Sequence, residues 1–454
     1  IIDASTPSPD VPLIKPKEVY NFSIFLFIYN NFCIIVVLIN CAMKNKFLLE
    51  MQSRGYLNQC TDLEKLGEIC NKKSISGYIG FDCTASSLHV GSLLQIMILK
   101  LMQKYGHQPI VLLGGGTTMI GDPSGKDVTR KILDQKEIKK NIQSIKKVFI
   151  KILKTSDKKT KPIFVDNANW LTKLNYIDFL RNIGSHFTLN KMLTFDSVKL
   201  RLEREQSLSY MEFNYMILQA YDFLKLFEKK NCVLQIGGSD QWGNIVNGVE
   251  LIRRKLQKES FGLTTPLITL ASGAKMGKTE KGAIWLNENL FSPYDYWQFW
   301  RNTDDRDVKR FLYFFTEISQ SEIEHLYEKE KNINKLKIIL ANEATKILHG
   351  EIASKKAEQT ARETFKEKRL SSNLPEIKIK LNNIEKGIKL IDLLTDNKIF
   401  PSKSEIRRVM ANNGLKINNN LMNDDKKVLR PNDFKEKVLK VSYGKKKHYI
   451  IKII

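Results

Sequence analysis

Apolar and polar residues along positions 60–285 follow two alternating patterns. Short apolar runs at 78–81 (YIGF), 110–113 (IVLL) and 232–236 (CVLQI) have the length and composition of buried strands. The longer segments between them repeat apolar residues at helical spacing, and residues 93–102 (LLQIMILKLM) are apolar enough to predict a helix buried in the core. Strands that alternate with helices indicate an α/β domain with a doubly wound parallel sheet.

The pattern changes after this α/β domain, which we place at 43–285. Residues 286–370 contain no strand-like run and carry Lys, Glu, Leu and Ile at helical spacing, which predicts an all-α domain. The sequence SSNLP then interrupts the helical pattern, and we expect a linker at 371–384.

Residues 385–454 predict a small basic α+β unit. The sequence SKSE from Ser402 is a capping box ahead of an apolar helical stripe, and Asn413-Gly414 predicts a turn into a strand at 415–417. The unit carries 17 Lys or Arg and 8 Asp or Glu, a net charge of 17 − 8 = +9. Its helix places three cations off the apolar stripe, where they face solvent or phosphate: Lys403, Arg407 and Arg408.

The first 42 residues need a separate interpretation. They end in an apolar run at 22–42, whose length is near the ~20 residues of a membrane span. The segment lacks the cleavage site of a signal peptide and the arginines of a transit peptide, and Met43 is a natural start. We favour an upstream extension without function in the fold; a membrane anchor is the alternative.

Composition narrows the class of partner. The chain has 73 Lys and Arg against 49 Asp and Glu, a net charge of +24 that suits a polyanion such as nucleic acid. A general bias toward Lys, Ile and Asn codons is the alternative explanation. The six Cys and six His are scattered, so we expect no metal site, no disulfide framework and a reducing compartment, the cytoplasm.

A lone imidazole, His89, precedes the buried helix at 93–102 by a few residues. In a doubly wound fold the amino end of such a helix lies where ligands bind, and its free N–H groups favour phosphate. Gly91 would leave the backbone open to a flat base, and His89 could donate to a phosphate oxygen. One histidine is a weak signal by itself.

A second cationic segment strengthens the phosphate hypothesis. Lys275 and Lys278 lie in KMGKT within the glycine-rich stretch ASGAKMGKTEKGAIW, a loop able to close on a triphosphate. It is not a P-loop, and neither is GDPSGKD at 121–127, which has the wrong glycine spacing and Asp127 where Mg²⁺ needs Ser or Thr. A kinase or P-loop NTPase is therefore disfavoured.

A helix face at YMILQAYD offers a third kind of chemistry. Tyr215, Gln219 and Asp222 recur at i, i+4 and i+7, on one side of a helix. Gln and Asp are seldom buried without partners, so a phenol, an amide and a carboxylate on one face suit an amino-acid ligand.

These segments resemble a known family. HVGS at 89–92 and KMGKT at 275–279 resemble the two signatures of class I aminoacyl-tRNA synthetases. YIGFDCTASSLHVGS, GGGTTMIGDPSGK, SYMEFNYMILQAYDF and QIGGSDQWGNI resemble the bacterial-type tyrosyl enzymes, from about residue 45 onward. The resemblance implies a Rossmann-like catalytic domain, an anticodon-side helical domain and a C-terminal RNA-binding domain of the S-four type. It also implies tyrosine, ATP with Mg²⁺, tRNA(Tyr) and a second identical subunit as partners, and no tightly bound cofactor.

The resemblance assigns roles to residues. Tyr78 and Asp222 would bind the substrate phenol. The remaining tyrosine-binding residues would be Asp122, Tyr215, Gln219 and Gln241. The ATP site would comprise Gly80, Asp82, His89, Gly91, Ser92, Gly238, Asp240, Met276 and Lys278. The catalytic groups would be Thr84, His89, Lys126, Arg130, Lys275, Lys278 and Thr279.

Two departures and two alternatives accompany the resemblance. Cys83 stands where the family has proline, and Ser92 where the first signature ends in His or Asn. Tryptophanyl enzymes share both signatures, but an indole has no need for a carboxylate such as Asp222. A non-catalytic RNA-binding relative would have lost the ATP residues, which are present here.

Overall fold

The computed structural model describes residues 45–121, 133–273, 276–279, 282–365, 374–444 and 447–454. The predicted extension at 1–42 lies outside these ranges. From Lys44 onward the chain forms one compact unit. None of its described helices combines the length and the apolar character needed to cross a bilayer.

A six-stranded sheet forms the centre of the first domain. Its strands are β1 (Gln59–Cys60), β2 (Ser76–Asp82), β3 (Gln108–Gly114), β4 (Ile163–Asp166), β5 (Cys232–Gly238) and β6 (Phe261–Thr265). The spatial order is β1-β6-β5-β2-β3-β4, and every neighbouring pair is parallel except β1 with β6. The doubly wound sheet predicted from the sequence is confirmed, with one antiparallel edge strand that the sequence did not indicate.

Helices cover this sheet. They are α1 (Lys46–Ser53), α2 (Leu63–Lys72), α3 (Leu93–Lys104), α4 (Gln135–Ile152), α5 (Ala168–Leu171), α6 (Tyr176–Asn182), α7 (Leu189–Met192), α8 (Asp196–Glu203), α9 (Tyr210–Lys230) and α10 (Trp242–Leu256). The buried helix predicted at 93–102 is α3, which follows a single 3-10 turn at Val90–Ser92. Its apolar side chains are almost fully buried, so α3 is a rigid support for the residues at its amino end.

A short hairpin and a helical domain follow. The hairpin pairs β7 (Lys278–Thr279) with β8 (Gly282–Ala283). The helices are α11 (Pro293–Arg301), α12 (Val308–Phe315), α13 (Gln320–Lys329), α14 (Ile333–His349) and α15 (Glu351–Phe365). Ser292 caps α11 by accepting the Asp295 N–H at 3.1 Å, and α14 packs against both α11 and α15.

The C-terminal residues form a separate sheet. Its strands, in spatial order, are β12 (Asn420–Leu421), β11 (Leu415–Ile417), β14 (Val438–Tyr443), β15 (Lys447–Ile453) and β9 (Glu376–Ile379), and a second pair joins β10 (Ile388–Lys389) to β13 (Val428–Leu429). The helices are α16 (Asn382–Glu385), α17 (Leu390–Asp396) and α18 (Lys403–Ala411). Ser402 caps α18, and Asn413 takes the left-handed conformation (φ 52°) before β11, in agreement with the sequence pattern.

The predicted linker differs from the structure. We expected 371–384 to be a connection without regular structure, but β9 (Glu376–Ile379) pairs in parallel with β15 and α16 begins at Asn382. Four alternating residues are too few to predict a strand from the sequence. The strand forms because it pairs with β15, a segment some 70 residues later in the chain. Residues 374–384 therefore belong to the C-terminal domain.

Candidate active site

A crevice of about 510 Å³ opens at the carboxyl ends of β2 and β5. These neighbours lie where the chain order of the sheet reverses, the position at which doubly wound folds bind ligands. Thirteen of the predicted site residues line it: Tyr78, Gly80, Asp82, Thr84, His89, Gly91, Ser92, Tyr215, Gln219, Asp222, Gly238, Asp240 and Gln241. The sheet thus brings together segments far apart in sequence.

The floor of the crevice is formed by Tyr78 of β2 and Asp222 of α9, both about 1% exposed. Asp222 accepts hydrogen bonds from Trp170 Nε1 at 2.7 Å and Asn167 Nδ2 at 2.8 Å. Burial nevertheless raises the pKa of this carboxyl to about 7, because desolvation outweighs the two donors. The Tyr78 hydroxyl is buried and has no hydrogen-bond partner among the described residues.

Asn167 is fixed by the glycine run that follows β3. Its Oδ1 accepts the Gly116 N–H at 2.7 Å, while its Nδ2 is directed at Asp222. A Cβ on Gly115 would lie 2.2 Å from Asp166 Oδ1, so the chain can pass there only as glycine. The Gly116 N–H therefore sets the orientation of the amide that supports Asp222.

One wall of the crevice is a network of amides. Asn244 of α10 donates from Nδ2 to Gln219 Oε1 and to Gln241 Oε1, both at 3.1 Å. On another side, Asp82 accepts from Tyr215 Oη at 3.4 Å and from Thr117 Oγ1 at 3.1 Å. Both arrangements hold polar side chains at the mouth of the crevice before any ligand arrives.

The two signature segments are in backbone contact. Val90 N–H donates to Ile284 O at 2.8 Å, and Leu286 N–H donates to Leu88 O at 2.9 Å. A Cβ on Gly91 would lie 2.7 Å from Met276 O, so this glycine admits the second signature. The sequence suggested instead that Gly91 opens the backbone to a base; in the structure the carbonyl of Met276 and the His89 ring occupy that space.

His89 has a defined orientation. Its Nδ1 accepts the Gly91 N–H at 3.1 Å, which favours the tautomer with the proton on Nε2. The imidazole can therefore donate through Nε2, as the phosphate hypothesis requires.

The structure also explains the departure from the family pattern at Cys83. The N–H of Cys83 donates to Thr118 Oγ1 at 2.8 Å, and proline would lack this donor.

Several predicted residues are not described at side-chain level. Asp122, Lys126, Arg130 and Lys275 lie outside the described ranges, and so do the side chains of Lys278 and Thr279. Met276 is described and is buried, with its carbonyl at the first signature.

The three predicted RNA-binding cations of α18 are exposed. Each is paired with a carboxylate, in the ion pairs Lys403–Asp392 (2.8 Å), Arg407–Asp425 (3.0 Å) and Arg408–Glu405 (3.1 Å). Exposed pairs of this kind are worth little free energy, so a phosphate group can replace the carboxylates.

Sequence reasoning missed a second set of crevice residues. They are Gln95, Thr117, Asn167, Gln235, Trp285 and, next to them, Trp170 and Asn244. Gln235 and Asn244 lie in QIGGSDQWGNI, Trp285 ends the stretch ASGAKMGKTEKGAIW, and Thr117 lies in the GGGTT run, whereas Gln95, Asn167 and Trp170 lie in no such motif. Asn167 and Trp170 are marked by their hydrogen bonds to Asp222, Thr117 by its hydrogen bond to Asp82, and Asn244 by its hydrogen bonds to the two glutamines.

Comparison with known proteins agrees with this geometry. Residues 71–366 match the family model described as tRNA synthetases class I (W and Y), and residues 367–451 match that of the Tyrosine--tRNA ligase SYY-like C-terminal domain. The chain is 60% identical over 410 residues to the tyrosine–tRNA ligase of Pelagibacter ubique and 51% identical over 410 residues to that of Rickettsia conorii, covering 90% of this chain and 100% of each relative.

A solved structure is similar as well. The C-terminally truncated mitochondrial tyrosyl-tRNA synthetase of Aspergillus nidulans superposes with a TM-score of 0.64 at 29% identity, covering 71% of this chain and 95% of that one. The family models and the relatives lead to one assignment. This chain belongs to the tyrosyl-tRNA synthetases, class I enzymes that activate tyrosine with ATP and transfer it to tRNA.

Proposed function

We propose that tyrosine binds with its phenol between Tyr78 and Asp222. A buried hydroxyl without a partner costs free energy, and the Tyr78 hydroxyl is buried with no hydrogen-bond partner among the described residues. A substrate phenol can accept from Tyr78 and donate to Asp222, whereas the phenyl ring of phenylalanine can do neither. This unsatisfied hydroxyl beside a buried carboxylate is the observation that carries the proposal.

The other end of tyrosine lies against the amide wall. Tyr215, Gln219 and the undescribed Asp122 bind the α-ammonium, and Gln241 approaches the carboxylate. Asn244 supports these assignments, because it fixes the amide groups of both glutamines in one orientation. Preorganised polar groups lose little free energy on binding.

ATP occupies the remainder of the crevice. Gly80, Asp82, Gly238 and Asp240 line the ribose and phosphate path at the strand ends. Ser92 can donate to the ribose or to a phosphate, and Gly91 leaves room for the carbonyl of Met276 beside this path. Thr84 and His89 contact ATP from the first signature. From the second signature the contacts come from Lys275, Met276, Lys278 and Thr279, and the cations Lys126 and Arg130 join in the transition state.

The chemistry requires positioning more than acid–base catalysis. The tyrosine carboxylate is ionised at neutral pH and attacks the α-phosphate directly, so no general base is needed. Pyrophosphate leaves with the Mg²⁺ that entered bound to the triphosphate. His89 and the lysines of the second signature stabilise the negative charge that builds on the phosphates. The terminal ribose hydroxyl of tRNA then attacks the adenylate carbonyl: an ester bond to tyrosine forms, the bond between the carbonyl carbon and the phosphate oxygen breaks, and AMP and the hydroxyl proton leave.

The C-terminal domain binds tRNA(Tyr), with the helical domain on the anticodon side. The net charge of +9 and the exposed cations Lys403, Arg407 and Arg408 support this role. We place the enzyme in the cytoplasm, in line with the free thiols of its four described cysteines.

The enzyme works as a homodimer. Eight of the 17 large apolar side chains that are exposed in the described residues fall within positions 176–210: Tyr176, Ile177, Leu180, Leu189, Leu193, Leu200, Leu202 and Tyr210. Such a concentration is typical of a surface that another protein covers. Replacing Ile177, 68% exposed, by glutamate should give a monomer in analytical ultracentrifugation, while the same change at Ile352, 84% exposed and outside this stretch, should not.

Amino-acid-dependent ATP–pyrophosphate exchange tests the substrate assignment. Exchange should occur with tyrosine and be almost absent with phenylalanine and tryptophan. Synthetases specific for tyrosine are known to reject phenylalanine by about 10⁵-fold without editing. Exchange that depends on tryptophan would instead assign the chain to the tryptophan-specific enzymes, which share the same family model.

A further inference from the structure

The chain segment that leads into the second signature is held by an ion pair from the helical domain. Ala271 N–H donates to Asp307 Oδ2 at 2.7 Å, and Asp307 is 3% exposed. Arg310 donates from Nη2 to Asp307 Oδ1 at 2.6 Å and also to the carbonyl of Thr269. One carboxylate and one guanidinium thus bind two backbone positions of the chain segment that leads into KMGKT.

These two positions lie inside a closed backbone turn. Met276 N–H donates to Ile268 O at 3.0 Å, so Thr269 and Ala271 are on the incoming side of a loop whose outgoing side begins at Met276. Met276 is also the residue whose carbonyl approaches Gly91. A shift at the incoming side would therefore move the contact between the two signatures.

The ion pair lies on a helix that is packed into the core. It lies at the start of α12, where Val308 and Phe311 are at most 1% exposed. Helix α12 packs against α3, and α3 begins at the first signature. The two packed helices therefore fix both signature segments in one frame, α3 through its amino end and α12 through Asp307 and Arg310.

We propose that Asp307 and Arg310 are positioning residues for adenylate formation. They hold the backbone at Thr269 and Ala271 so that the segment from Met276 to Thr279 meets the triphosphate at the first signature. The inference rests on the proposed role of that segment in the transition state, because a cation held slightly out of place stabilises the phosphates less.

A neighbouring ion pair offers a matched control. Asp304 and Arg306 lie just before Asp307, and their side chains are 46% and 69% exposed. The hydrogen bonds of Asp304 to Arg306 stay within that turn. Asp304→Asn therefore removes the same charge from the same turn without touching the loop.

The test compares Asp307→Asn, Arg310→Lys and Asp304→Asn for tyrosine affinity, single-turnover adenylate formation and thermal melting. In Asp307→Asn and Arg310→Lys the adenylation rate at saturating substrates should fall by about 10- to 100-fold, as expected for misplaced catalytic groups. Tyrosine affinity should stay unchanged, because the phenol pocket lies at the other end of the crevice. Asp304→Asn should match the parent in all three measurements.

Three results would overturn the inference. Adenylation at the parent rate in Asp307→Asn would show that the ion pair does not position the loop. Equal losses of tyrosine affinity and adenylation would indicate general unfolding, and an equal effect of Asp304→Asn would indicate charge alone. Lys278→Ala, measured alongside, separates the hypotheses: a normal rate in that variant would refute the role of the loop itself.

Discussion

Trp170 donates its indole N–H to the Asp222 carboxylate over 2.7 Å, from a short helix 52 residues earlier in the chain. With the amide of Asn167 on the other oxygen, this carboxylate has a donor on each side and remains an acceptor for a third. A carboxylate held in this way can only accept from the ligand while it is ionised. The proposed specificity for a phenol, which would donate to this carboxylate, rests on that restriction.

The first prediction concerns the phenol contacts. Tyr78→Phe should weaken discrimination between tyrosine and phenylalanine by roughly 1–2 kcal/mol, the scale of one hydrogen bond. Asp222→Ala should weaken it further, because the Trp170 and Asn167 donors then lose their acceptor. The measurement is the ratio of kcat/KM for the two amino acids in pyrophosphate exchange. An unchanged ratio in Asp222→Ala would show that the pocket is wrongly assigned.

Thermal melting controls for a folding effect. The Tyr78 hydroxyl has no partner among the described residues, so its removal in Tyr78→Phe should not lower the melting temperature. If Tyr78→Phe melts at a lower temperature than the parent, the hydroxyl has a stabilising partner in the folded protein and the prediction is wrong.

The second prediction is a pH dependence. The pKa of Asp222 is raised from 3.8 to about 7 by burial, so the carboxyl becomes protonated as the pH falls through neutrality. The protonated form cannot accept the phenol proton in the same way, and kcat/KM for tyrosine should fall on the acid side of about pH 7. Asp222→Asn should have low activity without this acid limb. A parent profile that is flat through neutrality would contradict the assignment.

The same pKa shift has a consequence for stability. Between pH 3.8 and about 7 the folded state binds a proton at Asp222 that the unfolded state releases. The contribution of this carboxyl to the free energy of unfolding therefore decreases as the pH rises through that window. A plot of melting temperature against pH should therefore have a different slope for the parent and for Asp222→Asn between pH 3.8 and about 7.

The third prediction concerns the contact between signatures. In Gly91→Ala the new Cβ would lie 2.7 Å from Met276 O and 2.8 Å from His89 Cε1, so either the second signature or the imidazole must move. Adenylate formation should slow by about tenfold or more, with tyrosine affinity little changed. Gly67→Ala is the control, since its Cβ would meet Leu48 Cδ1 at an ordinary 3.5 Å. Equal adenylation rates in both variants would remove this contact from the mechanism.

There is a physical reason why some elements of the fold could be predicted from the sequence and others could not. The central strands and α3 were predictable because burial on both sides leaves long apolar runs. The strands β1 and β9 were not, since two to four residues at a sheet edge owe their conformation to partners far along the chain. The local pattern of apolar and polar residues does not indicate pairing with a distant strand.

The candidate site divides in the same way. Tyr215, Gln219 and Asp222 could be picked out because their i, i+4, i+7 spacing places them on one face over two turns of a helix. Asn167, 55 residues from Asp222, was missed because its role consists of a tertiary hydrogen bond. Supporting residues of this kind become visible only when the fold brings them next to a functional group.

The fourth prediction separates activation from tRNA charging. The C-terminal sheet takes all of its strands from residues 376–453, and its core of buried apolar residues is drawn from 379–453. Truncation after Leu374 therefore removes a complete domain and should leave the α/β core folded. Every described residue of the crevice precedes position 286, so adenylate formation should continue at the parent rate.

Charging of tRNA should collapse in the same truncated sample. Binding of tRNA to the intact enzyme should weaken steeply with salt, because phosphate contacts release counterions, and truncation should flatten that slope. The triple change of Lys403, Arg407 and Arg408 to glutamine tests whether the cations of α18 carry this dependence: it should flatten the slope in part while the domain stays folded. If the truncated enzyme both forms adenylate and charges tRNA at full rate, the C-terminal domain does not bind tRNA in the productive complex.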